Sequence, residues 1–114
     1  MLTDLLDDKG ISWRYYTPSA GSIWTGPNAI QHIRSGSAWA NVILNQKQVL
    51  SDIAAGQLPQ VSWVVPTGSA SDHPRQNQGL GPSWVASIVN AIGNSSYWQD
   101  SAIFITWDDW GRLV

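Results

Sequence analysis

Ala102-Ile103-Phe104-Ile105-Thr106-Trp107-Asp108-Asp109-Trp110-Gly111 is the stretch whose reading decides the fold. Four of its first five residues are apolar, and two of these are β-branched isoleucines. A run this short and this apolar predicts a strand buried on both faces, the kind found in parallel sheets. Two adjacent aspartates and a Trp-Gly turn follow directly. Ligands of an open parallel sheet bind outside the carboxyl ends of its strands. Asp108 and Asp109 therefore stand where a site is expected. The sequence ends soon after, at Val114. A chemical signal so close to the end implies a piece of something larger.

Working outward, the chain alternates helix and strand signals. Pro82 opens a helix at the position where its missing N–H is harmless, and Trp84, Val85, Ile88, Val89 and Ile92 follow helical spacing to Gly93. Thr67 to Gly81 is a polar loop holding Ser71-Asp72-His73-Pro74. Val61 to Val65 is a short apolar strand closed by Pro66. Gln46 to Ala55 is helical, with Val49, Leu50, Ile53 and Ala54 on one stripe and Gly56 at its stop. Thr17 to Ser37 reads as a long loop with a helical turn at Asn28 to Ile33. Ile11 to Tyr16 alternates as a strand, and Thr3 caps a short helix that runs to Lys9 and stops at Gly10. Helix, strand, helix, strand, helix, strand predicts an α/β fold: a parallel sheet with crossover helices.

Composition narrows the function classes. Net charge is -2 over 114 residues, so there is no basic footprint for nucleic acid or an anionic membrane. Charged residues make up 12% of the chain, about half the usual share. All eight acidic residues are aspartate. With no cysteine, disulfides and thiolate metal sites are excluded. No apolar run is long enough to span a bilayer, and the first residues lack the pattern of a signal peptide. Eight tryptophans must line a core, an interface or a ligand groove. Trp13, Trp63, Trp84 and Trp107 fall on expected strands or a helix and read as packing residues. Trp24 and Trp39 read as cover for the core, and Trp110, beside the aspartates, stands between cover and substrate contact.

Several phrases together carry a resemblance. Gly10-Ile11-Ser12-Trp13-Arg14-Tyr15-Tyr16, Leu58-Pro59-Gln60-Val61-Ser62-Trp63-Val64-Val65-Pro66, Ser71-Asp72-His73-Pro74 and Thr106-Trp107-Asp108-Asp109-Trp110-Gly111 resemble the bacterial phosphoesterase family. That family contains phospholipases C and acid phosphatases, and its fold is similar to alkaline phosphatase. The resemblance implies that residues 1–114 are the late portion of a single catalytic domain, truncated at both ends. The family's Glu-Asn metal-binding pair and its Ser or Thr nucleophile belong upstream and have no counterpart here. After Asp-Asp-Trp-Gly the family continues into a Tyr-Asp-His segment, where this chain reads Arg112-Leu113-Val114. The resemblance also suggests a secreted or periplasmic protein.

The site residues each have two readings. Hard carboxylate oxygens bind divalent cations, so Asp108 and Asp109 can supply two ligands to a metal ion if the chain leaves the strand at Asp108. Otherwise they cap a turn. The family resemblance favours the metal. Histidine as a residue type can protonate a leaving alkoxide or hold a phosphoryl oxygen near neutral pH, and the resemblance implies a phosphate-contacting role for His73. As a pattern alone it is a loop histidine before a proline. Asp72 makes a local turn contact or orients His73. His32 is read as surface loop, and Thr3, Thr67 and Thr106 lack the basic partner a nucleophile needs. Two function classes follow. One is a metal-assisted phosphoric-ester hydrolase acting on a phosphate ester, phospholipids among them, with this chain alone inactive. The other is a non-catalytic, Trp-rich module for binding or self-association.

Overall fold

In the computed structural model, residues 1–74, 76 and 78–107 are described. They fall into two compact units, Met1–Val65 and a second from Pro66 onward. The first unit holds α1 (Leu2–Asp8), β1 (Trp13–Tyr16), α2 (Gln31–Arg34), β2 (Val42–Ile43), α3 (Gln48–Ala54) and β3 (Val61–Val64). Its sheet has three strands in the order β2-β1-β3, all parallel. The fold class is therefore α/β with a parallel sheet, in keeping with a portion of an alkaline-phosphatase-like domain.

β1 is the central strand, and its sequence explains why. Trp13 and Tyr15 point to one face, Arg14 and Tyr16 to the other. On the first face Trp63 of β3 meets Trp13 edge-on with centroids 6.2 Å apart and stacks on Tyr15 at 6.1 Å. Trp13 is only 2% exposed, and its indole donates to Asp7 Oδ1 of α1 at 2.7 Å. On the second face Tyr16 is fully buried, and its hydroxyl donates to Asp52 Oδ2 of α3 at 2.6 Å. Arg14 Nη1 donates to the same oxygen and to the Gln57 carbonyl. Burial raises the Tyr16 phenol to about 12, the Asp52 carboxylate pushes in the same direction, and Arg14 opposes them. The core of this unit is closed by Leu6, Ile33, Val42, Val49 and Ile53.

Some expected elements moved. Thr3 does not cap α1 but lies inside it, buried, and its hydroxyl has no partner among the described residues. Met1 takes the cap position, and its amine donates to Asp4. The buried stripe of α3 is Val49, Asp52 and Ile53, with Ala54 exposed. Asp52 is buried because Arg14 and Tyr16 satisfy it. Gly10 and Gly56, at φ +65° and +67°, end α1 and α3 as expected. The long loop contains a 3₁₀ turn at Gly26–Ala29 and the single-turn α2, pinned by buried Pro27 and Ile33.

The expected strand over Ala102–Trp107 is not formed. The third strand of the sheet is instead β2, two residues whose brevity hides them from any periodicity. In the second unit, 3₁₀ turns at Gly68–Ala70 and Ser96–Asp100 flank α4 (Gly81–Gly93). Beyond them Ala102–Trp107 is exposed, with Phe104 86% and Trp107 62% accessible. None of its backbone groups has a backbone partner among the described residues. A strand apolar on both faces is stabilised by neighbours at its edges and layers above and below. Among the described residues the second unit contains no strand that could supply them. Trp107 thus departs from the packing role expected of it.

Candidate functional site

The loop between Pro66 and α4 is built from its own polar groups. The amides of Ala70 and Ser71 donate to the carbonyls of Thr67 and Gly68. Ser71 Oγ donates to Gly68 O at 2.8 Å, and Thr67 Oγ1 pairs with Ser69 Oγ at 3.0 Å. Gln78 N closes the loop onto Ser69 O at 3.2 Å. Small hydroxyl residues achieve this because they bond locally to backbone. Gly79, at φ +72°, makes the reversal into α4.

His73 stands exposed on this scaffold. Its amide donates to Ser71 Oγ at 3.3 Å, and its Nδ1 lies 2.9 Å from the Pro74 carbonyl oxygen. A carbonyl only accepts, so Nδ1 carries a proton and donates in this contact.

Asp72 has a partner that neither expected role foresaw. Its Oδ2 accepts from Trp107 Nε1 at 2.7 Å, across 35 residues of chain. The bond joins the loop that carries His73 to the residue preceding Asp108. The signal was present as an indole, a donor with no acceptor capacity, closing an otherwise apolar run.

Asp108, Asp109 and Trp110 lie outside the described residues. Among the described residues no cluster of three or more His, Cys, Asp or Glu could hold a metal ion. His32 sits on α2 rather than in a loop, exposed, with Nε2 2.9 Å from Asp4 Oδ1. That hydrogen bond and the one from the terminal amine hold the Asp4 carboxyl below its ordinary range, the amine contributing most. No described helix is long and apolar enough to cross a membrane.

The first unit has a depression of about 310 Å³, lined by Asp7, Ser12, Arg14, Asn41 and Gln57 among others. These residues lie at the amino-terminal ends of the parallel strands. That is the end opposite the one where α/β sheets place ligands. The Arg14–Asp52–Tyr16 network beside it, missed by the sequence reading, serves the packing of α3 on β1.

Comparison with known proteins adds to this geometry. The family model described as Phosphoesterase family matches residues 1–112. A phospholipase C A of Mycobacterium tuberculosis is 25% identical over 124 residues, covering 97% of this chain and 24% of the relative. A non-hemolytic phospholipase C of Pseudomonas aeruginosa is 26% identical over 113 residues, 91% of this chain and 16% of that protein. A non-hemolytic phospholipase C of Burkholderia pseudomallei is 36% identical over 59 residues, 51% of this chain and 8% of that protein. The chain thus spans a quarter or less of the length of these relatives.

Proposed function

The chain belongs to the Phosphoesterase family, and on that premise we propose that it supplies part of a catalytic domain that hydrolyses phosphoric esters. The family match over residues 1–112 is the observation that carries this reading. The phospholipase C relatives support an ester with an apolar alcohol, a phospholipid being the natural case. An acid-phosphatase activity on monoesters is the other specificity the family resemblance allows.

In this reading His73 is the group that meets the phosphate. Hydrolysis adds water at phosphorus, breaks the bond to the alkoxide and requires a proton on the departing oxygen. Protonated at Nε2, His73 can donate to that oxygen or to a non-bridging phosphoryl oxygen. The Nδ1–H contact to the Pro74 carbonyl supports this by fixing the ring orientation. Asp108 and Asp109 supply two hard carboxylate ligands for a divalent metal ion, the donor chemistry such ions prefer. Two carboxylates are too few for a full coordination sphere, so the remaining ligands come from elsewhere in the whole protein. The bound ion supplies charge neutralisation at the phosphoryl group. Trp110, next in the chain, contributes a flat apolar surface for the substrate's alcohol or headgroup.

The test is turnover of chromogenic phosphate mono- and diesters by the full-length protein. Hydrolysis is expected to be lost after chelation and restored by a divalent cation. A preference for the choline-bearing diester marks the phospholipase C type, and preference for the monoester the phosphatase type. No hydrolysis of either ester with any divalent cation would refute the proposal.

A further inference from the structure

Asp72 is the immediate chain neighbour of His73, and Trp107 is that of Asp108. The 2.7 Å bond from Trp107 Nε1 to Asp72 Oδ2 therefore couples the two segments on which the proposed chemistry depends. A second contact locates the same carboxylate. A Cβ placed on Gly81 would stand 3.0 Å from the Ala70 carbonyl oxygen and 3.5 Å from Asp72 Oδ1. The loop thus lies directly against the start of α4, and a larger residue at 81 would push it away. The loop's internal hydrogen bonds fix its shape. The indole–carboxylate bond, spanning α4 in sequence, fixes where the His73 end stands relative to the end of the 102–107 stretch. The pairing is chemically apt: an indole N–H only donates, an ionised carboxylate only accepts, and the bond is charge-assisted.

We propose that Trp107 and Asp72 form a positioning clamp that ties the His73 loop to the end of the 102–107 stretch, which Asp108 follows in the chain. The proposal rests on the phosphoesterase reading above. Neither residue is catalytic in itself; each acts through the group next to it in the chain. Trp107 is 62% exposed, so replacing it leaves the core untouched and tests the bond rather than folding.

The experiment uses the full-length protein and four variants. Trp107→Phe keeps an aromatic ring but removes the N–H. Asp72→Ala removes the acceptor, Asp72→Asn keeps a carbonyl acceptor, and the fourth combines Trp107→Phe with Asp72→Ala. Trp107→Phe and Asp72→Ala are each expected to lower kcat by roughly ten-fold, with KM changed by less than about two-fold, since misplacing an acid mainly affects the transition state. Asp72→Asn should recover most of the loss, and the double variant should be no worse than the poorer single one. An independent readout is the indole N–H resonance of Trp107 in a nitrogen–proton correlation spectrum, identified by its disappearance in Trp107→Phe. It should shift in Asp72→Ala and stay near its place in Asp72→Asn. Unchanged kcat, additive losses, or an Asp72→Asn variant as impaired as Asp72→Ala would overturn the positioning role. A resonance indifferent to Asp72→Ala would overturn the bond, whether or not esters are hydrolysed. A shifting resonance in a protein that hydrolyses no ester would reduce the clamp to a structural contact and remove the proposed function separately.

Discussion

Tyr16 donates its phenolic hydrogen to Asp52 Oδ2 at 2.6 Å inside the first unit, and Arg14 binds the same oxygen. One buried carboxylate thus serves two neighbours in the period-two pattern of β1. Asp52→Ala would leave a buried phenol and a partly buried guanidinium short of an acceptor. We expect a loss of about 2–4 kcal/mol, the range for breaking such a pair after allowing for the exposed part of Arg14. Tyr16→Phe removes one hydrogen bond and should cost about 1 kcal/mol. Urea unfolding of the two variants against wild type checks both, and equal stabilities would show that α3 docks without the network.

Stability should also depend on alkaline pH. The Tyr16 phenol titrates near 10 when unfolded and at about 12 when folded. Its contribution is complete below the unfolded value and is lost as pH rises toward the folded one, because the unfolded chain releases its proton first. Burial raises Tyr15 as well, which adds to the same loss. The urea midpoint is expected to fall between pH 10 and 12, and less steeply in Tyr16→Phe. A midpoint flat across that window in wild type would contradict the burial-driven shift.

In the full-length protein, His73→Ala should reduce phosphate-ester turnover by roughly 10²-fold or more, a common loss for a positioned acid–base group. Its melting temperature should barely change, since His73 is exposed in a polar loop. A lowered melting temperature with unchanged turnover would support a structural role instead.

Asp108→Asn and Asp109→Asn keep side-chain shape while each removes one negative charge. Both should abolish most turnover and weaken binding of the divalent cation, which calorimetric titration reads directly. The isolated 114-residue chain should bind the ion only weakly, having two of the needed ligands. Near-wild-type turnover and metal affinity in both variants would remove these residues from the site.

The isolated chain is expected to self-associate. Ala102–Trp107 carries no charge, its side chains are exposed and its backbone groups are unpaired among the described residues. The outer strands β2 and β3 of the sheet offer further edges. Edges and apolar patches of this kind find partners, and a net charge of -2 offers little repulsion. Light scattering coupled to size exclusion over a dilution series should show species above 12.5 kDa. A monodisperse monomer would show that the stretch tolerates solvent.

The sequence made the fold class legible through particular residues. Gly10 and Gly56 marked two helix ends, Pro82 a helix start, and alternation in β1 revealed its two faces. Two features escaped it. β2 is too short to show a period, and its pairing with β1, Val42 against Tyr15 and Ile43 against Tyr16, is a long-range contact. Asp52 broke the apolar stripe of α3 and was passed over, since a carboxylate reads as surface unless its cationic and phenolic partners are known to converge on it. At the site, His73 was placed correctly in a polar loop, but the partner of Asp72 was not foreseen. The Trp107 indole marked a donor, but nothing local named its acceptor 35 residues away.

The strand order β2-β1-β3 carries a further consequence for synthesis. β1 is translated before both of its strand partners, the later of which ends at Val64. Tyr16 waits first for Ile43 of β2, then for Asp52 of α3, and last for Val64 of β3. The nascent chain therefore carries Trp13 and Tyr16 without their β3 neighbours until the end of the first unit's translation. Slowing translation between Tyr16 and Val64 would lengthen that exposure without changing a residue.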